Sequence, residues 1–188
     1  MKLSFATQNN HKVEEATAIL KKYDIEIEQL DIHYIEDKEQ TVQETAKNAA
    51  KELAEKHKKP IIVDDTGIFF TSYTNFPGAN AKLMFNALNY EGLLTLLAGK
   101  KRDAYFICCI GFCLPGKEPV IFEGRMDGRI SMMPFNLEKD VMPYERIFVP
   151  KGAVKTLSGM TREEKNKISH RAQAFEKLGQ YITKNNLL

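Results

Sequence analysis

Pro60-Ile61-Ile62-Val63-Asp64-Asp65-Thr66-Gly67 is the stretch on which the fold turns. Its short β-branched run predicts a buried strand, bounded by Pro60 in front and Gly67 behind. Two adjacent carboxylates follow where that strand is expected to end, and the glycine allows a sharp turn after them. In open α/β sheets the carboxyl ends of strands are where ligands bind. Side-by-side carboxylates repel each other, and a divalent cation relieves that repulsion through the hard oxygen donors that Mg2+ takes. An aspartate at a strand-to-turn junction also caps loop N–H groups. On this stretch alone both readings stand.

Upstream, Lys2–Ala6 reads as a first strand running directly into Thr7-Gln8-Asn9-Asn10-His11-Lys12. Val13, Ala16, Ile19 and Leu20 then keep helical spacing to Tyr23, with Asn9 or Asn10 as the cap. Such a helix start offers N–H groups and a positive dipole end to an anion, and Lys12 adds a full charge. A plain cap with a solvated lysine is the alternative. Ile25–Leu30 alternates as a strand, Asp31–Gln40 reads as an acidic loop, and Thr41-Val42-Gln43-Glu44 is a capping box opening a helix to about Lys58. Glu44 therefore either serves that cap or faces a neighbouring cation.

Downstream, Ile68–Phe70 predicts a short strand and Phe76-Pro77-Gly78 a tight turn. Lys82–Leu88 and Glu91–Leu97 predict two helices broken near Asn89-Tyr90, with Gly99 as the stop. Arg102–Leu114 and Val120–Asp127 predict an antiparallel hairpin, in which Gly124 and Gly128 mark a bulge or a close backbone approach. Ser131–Pro143 has no clean period and reads as a loop, and Arg146–Val149 as a last strand. A second capping box, Thr161-Arg162-Glu163-Glu164, opens a polar helix leading into Ser169-His170-Arg171. Ala172, Phe175, Leu178 and Ile182 continue the helical spacing to the end. The order predicts a mixed α/β fold.

The 188 residues fit one domain, 1–188, and 43% hydrophobic with 28% charged residues is ordinary globular composition. With 27 basic against 25 acidic residues, net charge +2, the chain is too close to neutral for a nucleic-acid binder. Any anion site must be a local cluster. The longest apolar run, Ile107–Leu114, is too short to span a bilayer, and Lys2 followed by Leu3–Ala6 is no signal core. Cys108, Cys109 and Cys113 lack metal or disulfide spacing and read as buried thiols of a cytoplasmic protein. His11, His33, His57 and His170 are scattered, which speaks against zinc. No cysteine or serine has a convincing His/Asp partner.

What remains is Glu44, Asp64 and Asp65 with two basic clusters, one around Lys12 and one from Lys165 to Arg171. That combination suits a metal-bound polyphosphate, where cations neutralise charge and a carboxylate orients or deprotonates the attacking water. Ser169, His170 and Arg171 set three different donors at one helix start, which suits a phosphate or a base edge.

In this order the motifs resemble those of the inosine triphosphate pyrophosphatase family, from about Phe5 to Tyr181. Thr7 to Lys12 is similar to the family's T-G-N-x-x-K phosphate loop, with Gln8 in place of glycine. Asp64-Asp65-Thr66-Gly67 resembles D-D-S-G, Phe76-Pro77-Gly78 the F-P-G turn, and Phe122-Glu123-Gly124 a strand motif. Lys165 to Arg171 resembles K-N-x-x-S-H-R. One segment departs: where the family has G-F-G-Y-D-P-I-F, this chain has Val141-Met142-Pro143-Tyr144-Glu145-Arg146-Ile147-Phe148.

The resemblance implies an elongated mixed β-sheet flanked by helices, with two lobes and a central substrate cleft, in a homodimer that binds neither nucleic acid nor membrane. It implies Mg2+-dependent hydrolysis of non-canonical purine nucleoside triphosphates (ITP, dITP, XTP) to monophosphate and pyrophosphate. Asp65 and Asp64 would be catalytic, and Glu44 with Asp65 would hold the metal. Substrate would meet Thr7, Gln8, Asn9, Asn10, His11, Lys12, Thr66, Phe76, Met142, Tyr144, Glu145, Lys165, Ser169, His170 and Arg171. The alternative is a nucleotide-binding relative whose base specificity is altered or lost through Val141–Arg146.

Overall fold

A computed structural model describes residues 2–32 and 39–187. His33 and the middle of the predicted acidic loop lie outside the described residues. The described strands are β1 (Lys2–Ala6), β2 (Glu26–Leu30), β3 (Ile61–Phe70), β4 (Pro77–Gly78), β5 (Asp103–Cys113), β6 (Val120–Ile130) and β7 (Phe148–Pro150). They form one mixed sheet in the order β2-β1-β3-β5-β6-β7, with β4 paired to β3 off that path. β1 is parallel to β2 and β3, while β3–β5, β5–β6 and β6–β7 are antiparallel. The predicted architecture of a mixed sheet flanked by helices is borne out.

The helices are α1 (Asn10–Leu20), α2 (Val42–His57), α3 (Ala81–Leu96), α4 (Arg162–Asn166) and α5 (His170–Asn185). Helices α1 and α5 cover one face, where Phe5, Ile19, Leu20, Ile62, Ile110, Phe175 and Leu178 make a closed core. Alanines of α2 cover the other face against Ile61, Val63 and Cys113. Small residues there let the helix lie close to the sheet. The far halves of β3, β5 and β6 build a second core from Phe70, Leu93, Phe106, Tyr144 and Phe148. Three long strands thus run through both cores.

The decisive stretch folds differently from its prediction. β3 does not end at the aspartates, and Gly67 is no turn. The strand pairs residue for residue with β5 from Ile61↔Cys113 to Phe70↔Ala104, absorbing the predicted Ile68–Phe70 strand. A Cβ on Gly67 would stand 2.9 Å from the Phe69 ring and 3.0 Å from the Gly78 carbonyl, so the glycine admits β4 alongside the strand. Gly124 and Gly128 are close approaches as well. At Gly124 a Cβ would run into the His170 carbonyl, so only glycine lets the start of α5 lie directly on β6.

Other boundaries followed their signals. Both capping boxes, Thr41/Glu44 and Thr161/Glu164, are formed. Helix α3 breaks at Asn89, whose φ of 52° is non-helical. The predicted last strand is shifted, because Pro143–Arg146 is a 3₁₀ turn that precedes β7.

Candidate functional site

Side chains alternate along a strand, so adjacent residues point to opposite faces. Asp64 therefore faces α1 and α5, while Asp65 faces α2. The two side chains point to opposite faces of the sheet, contrary to the expectation drawn from adjacency. Asp64 is buried and lies among cations: Lys12 Nζ meets its Oδ1, and Arg171 Nε donates to its Oδ2 at 2.8 Å. Lys12 Nζ also donates to the Asp64 carbonyl at 3.2 Å, and Cys108 Sγ lies 3.4 Å from Oδ2.

From Asp64 the charges alternate in an unbroken chain. Arg171 Nη1 donates to Glu15 Oε2 at 2.6 Å, and Lys165 Nζ reaches Glu15 Oε1 at 2.6 Å and Glu145 Oε1 at 2.9 Å. Lys12, Arg171 and Lys165 thus balance Asp64, Glu15 and Glu145, which is what lets so much charge leave water. Arg171 Nη2 adds a bond to Thr66 Oγ1 at 3.2 Å.

Electrostatics follow from the packing. Burial alone would raise the Asp64 carboxyl, but Lys12 and Arg171 outweigh it and hold it well below the usual carboxylate range. Burial likewise opposes ionisation of Glu15, and Arg171 with Lys165 brings it down to about 2. Burial would lower Lys165, yet Glu145 and Glu15 raise it. His170 is lowered to about 3, by burial first and by Arg171 next, so its imidazole is neutral at physiological pH. It stacks on Phe106 with ring centroids 4.5 Å apart, and its Nδ1 is buried with no protein partner.

The Glu15 shift carries a signed prediction. Its folded value of about 2 lies below the ordinary 4.5, so its contribution is complete above 4.5 and is lost as pH falls towards 2. Urea melts should lose about 3 kcal/mol through that window on account of this group. The Glu15→Gln protein should be less stable at neutral pH and show a flatter acid dependence. Equal slopes in both proteins would show that Glu15 is not the acid-sensitive link.

The polar hinge from Thr7 to Lys12 forms as its residues predict, a capped helix start. Asn9 caps α1, accepting from the His11 and Lys12 amides at 3.0 and 3.4 Å. Thr7 Oγ1 accepts from the Asn9 amide at 3.2 Å. Gln8 Nε2 donates to Asp31 Oδ1 at 2.8 Å, and Asn10 Oδ1 accepts from Gln29 Nε2 at 3.2 Å. Across a cavity of about 140 Å³, His11, Glu15 and Lys165 face Met142, Glu145 and Met160.

Several predicted contacts pack elsewhere instead of lining this cavity. Ser169 caps α5 through the Ala172 amide at 3.0 Å, and Arg171 is only 2% exposed. Phe76 packs edge-on to Phe70, and Tyr144 donates from its hydroxyl to the Ala81 carbonyl at 2.8 Å.

On the α2 face, Asp65, Cys109 and Glu123 stand in one row across β3, β5 and β6. Gln43 Nε2 donates to Glu123 Oε2 at 2.8 Å, and Cys109 Sγ lies 3.8 Å from the same oxygen. Burial, Glu123 and Asp65 together push the Cys109 thiol up to about 12. Glu44 Oε2 accepts from the Thr41 amide at 2.9 Å and its hydroxyl at 2.8 Å, so the cap occupies it. Among the described residues, no group of three or more His, Cys, Asp or Glu side chains stands ready to hold an ion.

Glu15 and Met160 were missed by the motif reading. For Glu15 a signal existed: three residues after Lys12 and four before Ile19, it sits on the apolar stripe of α1.

Comparison with known proteins bears out the motif resemblance. Residues 3–181 match the model of the Ham1 family. A dITP/XTP pyrophosphatase of Methanopyrus kandleri is 40% identical over 188 residues, covering all of this chain and 98% of that protein. The dITP/XTP pyrophosphatase of Thermococcus kodakarensis is 36% identical, covering 98% and 99% of the two chains. The structure of a HAM1 protein from Coxiella burnetii superposes with a TM-score of 0.82 at 25% identity, covering 98% and 99%.

Proposed function

This chain belongs to the Ham1 family, and from that membership we propose that, as one domain, it hydrolyses non-canonical purine nucleoside triphosphates such as dITP, ITP and XTP to monophosphate and pyrophosphate. The observation that carries the reading is the charge chain itself. It joins the phosphate loop at Lys12, the D-D strand at Asp64 and the K-N-x-x-S-H-R segment at Lys165 and Arg171.

In this reading Lys12 and the positive dipole end of α1 hold the phosphates, with Thr7, Gln8, Asn9, Asn10 and His11 shaping the loop. Asp65 takes a proton from water as the water oxygen attacks the α-phosphorus. The bond to the bridging oxygen breaks and pyrophosphate leaves. Asp64 is too strongly held as a carboxylate to be that base. It fixes Lys12 and Arg171, with Thr66 and Ser169 bracing the same corner. Met142, Glu145, Lys165 and the neutral His170 form the base side, with Phe76 and Tyr144 supporting that wall from the second core. The orphaned His170 Nδ1 and Asn166 Oδ1 support a role for this corner in meeting a ligand.

A divalent cation, Mg2+ by its hardness, would be held by Asp65 and Glu44, the first facing α2 and the second in its opening turn. Such an ion takes one or two protein carboxylates and completes its shell with water and phosphate oxygens. When bound it neutralises phosphate charge and acidifies water. Glu44 would exchange its cap bonds for this duty.

We assign the enzyme to the cytoplasm, and among the described residues no helix is long and apolar enough to cross a membrane. The exposed Met132, Met133, Phe135 and Leu137 support self-association as a homodimer. The near-neutral net charge supports a nucleotide over a nucleic acid as substrate.

The test is pyrophosphate release with Mg2+ from inosine, xanthosine, guanosine, adenosine and cytidine triphosphates. Inosine and xanthosine triphosphates should be cleaved about 10²-fold more efficiently than the others. Equal turnover of all five overturns the selectivity. No turnover with binding retained makes the chain a nucleotide binder, the reading that the departure at Val141–Arg146 would favour.

A further inference from the structure

Arg146 stands where the resembled motif has proline, and its side chain hydrogen-bonds to its own loop and the helix beside it. Its Nε donates to the Asn136 carbonyl at 3.3 Å, and its Nη2 to the Leu137 carbonyl at 3.2 Å and to the Lys139 carbonyl. Its Nη1 donates to Tyr90 Oη at 3.2 Å, and Tyr90 in turn donates to the Pro143 carbonyl at 3.0 Å. The Arg146 carbonyl accepts from the Phe135 amide at 2.9 Å, closing the loop from the other side. One planar guanidinium therefore gathers three backbone carbonyls and a hydroxyl from α3, a geometry that a lysine ammonium cannot span.

The segment so gathered leads directly to the cleft. Asp140 follows Lys139, and its carboxylate lies 3.4 Å from His11 Nε2 on the opposite side. Met142 and Glu145 line the cavity between them. The resembled motif has glycines on either side of its aromatic residue, whereas here Val141 and Pro143 stiffen the backbone and Arg146 ties it down.

We propose that Arg146 is a positioning residue for base selectivity. Its caged guanidinium fixes the Asp140–Glu145 wall against α1, so that the cleft meets the base as a preformed slot and not as a flexible flap. This rests on the hydrolytic reading above and adds a specificity element to it. Arg146 touches neither the phosphates nor the attacking water. Its loss changes which base is accepted and leaves the chemical step alone.

The decisive experiment compares the parent with Arg146→Met and Tyr90→Phe, using inosine and adenosine triphosphates. In Arg146→Met the ratio of kcat/KM for inosine over adenosine triphosphate should fall about tenfold, through KM. The kcat for inosine triphosphate should stay within about twofold. Tyr90→Phe removes one hydroxyl from the same cage, keeps the ring, and should shift the ratio the same way by less. In parallel, trypsin cleavage after Lys139 should accelerate in Arg146→Met. A ratio unchanged in both variants overturns the proposal, as does a fall carried by kcat alone. If the parent releases pyrophosphate from no triphosphate, the hydrolytic reading has failed and the tryptic rate decides the cage by itself. Equal cleavage in parent and variant would then overturn it.

Discussion

Asp65→Asn is expected to lower kcat for pyrophosphate release by about 10³-fold. Asparagine keeps the size of the side chain but can neither accept the proton nor offer a charged oxygen to a cation. Asp65 is only half-buried on the α2 face, outside the ion-pair chain on the other side of the sheet. Its loss should therefore leave that chain of ion pairs in place. Full Mg2+-dependent activity in the purified variant would remove Asp65 from the mechanism and return the base to some other group.

Asp64→Asn is expected to unsettle the fold itself. The two neighbours differ by one position in sequence and by a whole face in space. A neutral amide at this position would leave Lys12 and Arg171 with their shared counter-ion missing in a site from which water is excluded. Removing one member of a buried ionic group costs about 3–5 kcal/mol. In a chain of this length that corresponds to a drop of about 10 °C in Tm. The damage comes from the stranded cations, so adding Lys12→Met to Asp64→Asn should recover part of the lost stability, though not activity. A single variant melting within about 2 °C of the parent would mean that water or rearrangement serves Arg171 as well as Asp64 does.

Much of this was legible from residues whose meaning is local. Thr41 with Glu44 and Thr161 with Glu164 announce helix starts because side chain and backbone satisfy each other within four residues. Asn89 announces a break because it tolerates positive φ. Adjacency misled where meaning is set by the sheet. Asp64-Asp65-Thr66-Gly67 looks like the end of a strand, yet β5 supplies partners through Phe70 and holds it extended. Period-two alternation then sends the carboxylates apart. The burial of Ser169, His170 and Arg171 was equally hidden, because it depends on Gly124 admitting α5 against β6. Glu15 shows the reverse error: its spacing placed it on the apolar stripe of α1, but no motif drew attention to it.

The three thiols of β5 have a consequence for how the molecule ages. Cys108, Cys109 and Cys113 sit in the central region of the sheet, each buried and each with its thiol pushed up by burial first. Oxidants and alkylating agents attack thiolates, and here they find neither thiolate nor access while the strand is in place. Exposing the three together requires β5 to leave both neighbours at once, so chemical damage and global opening become the same event. A molecule that has opened offers these core thiols to reaction, and one that has stayed folded keeps them out of reach.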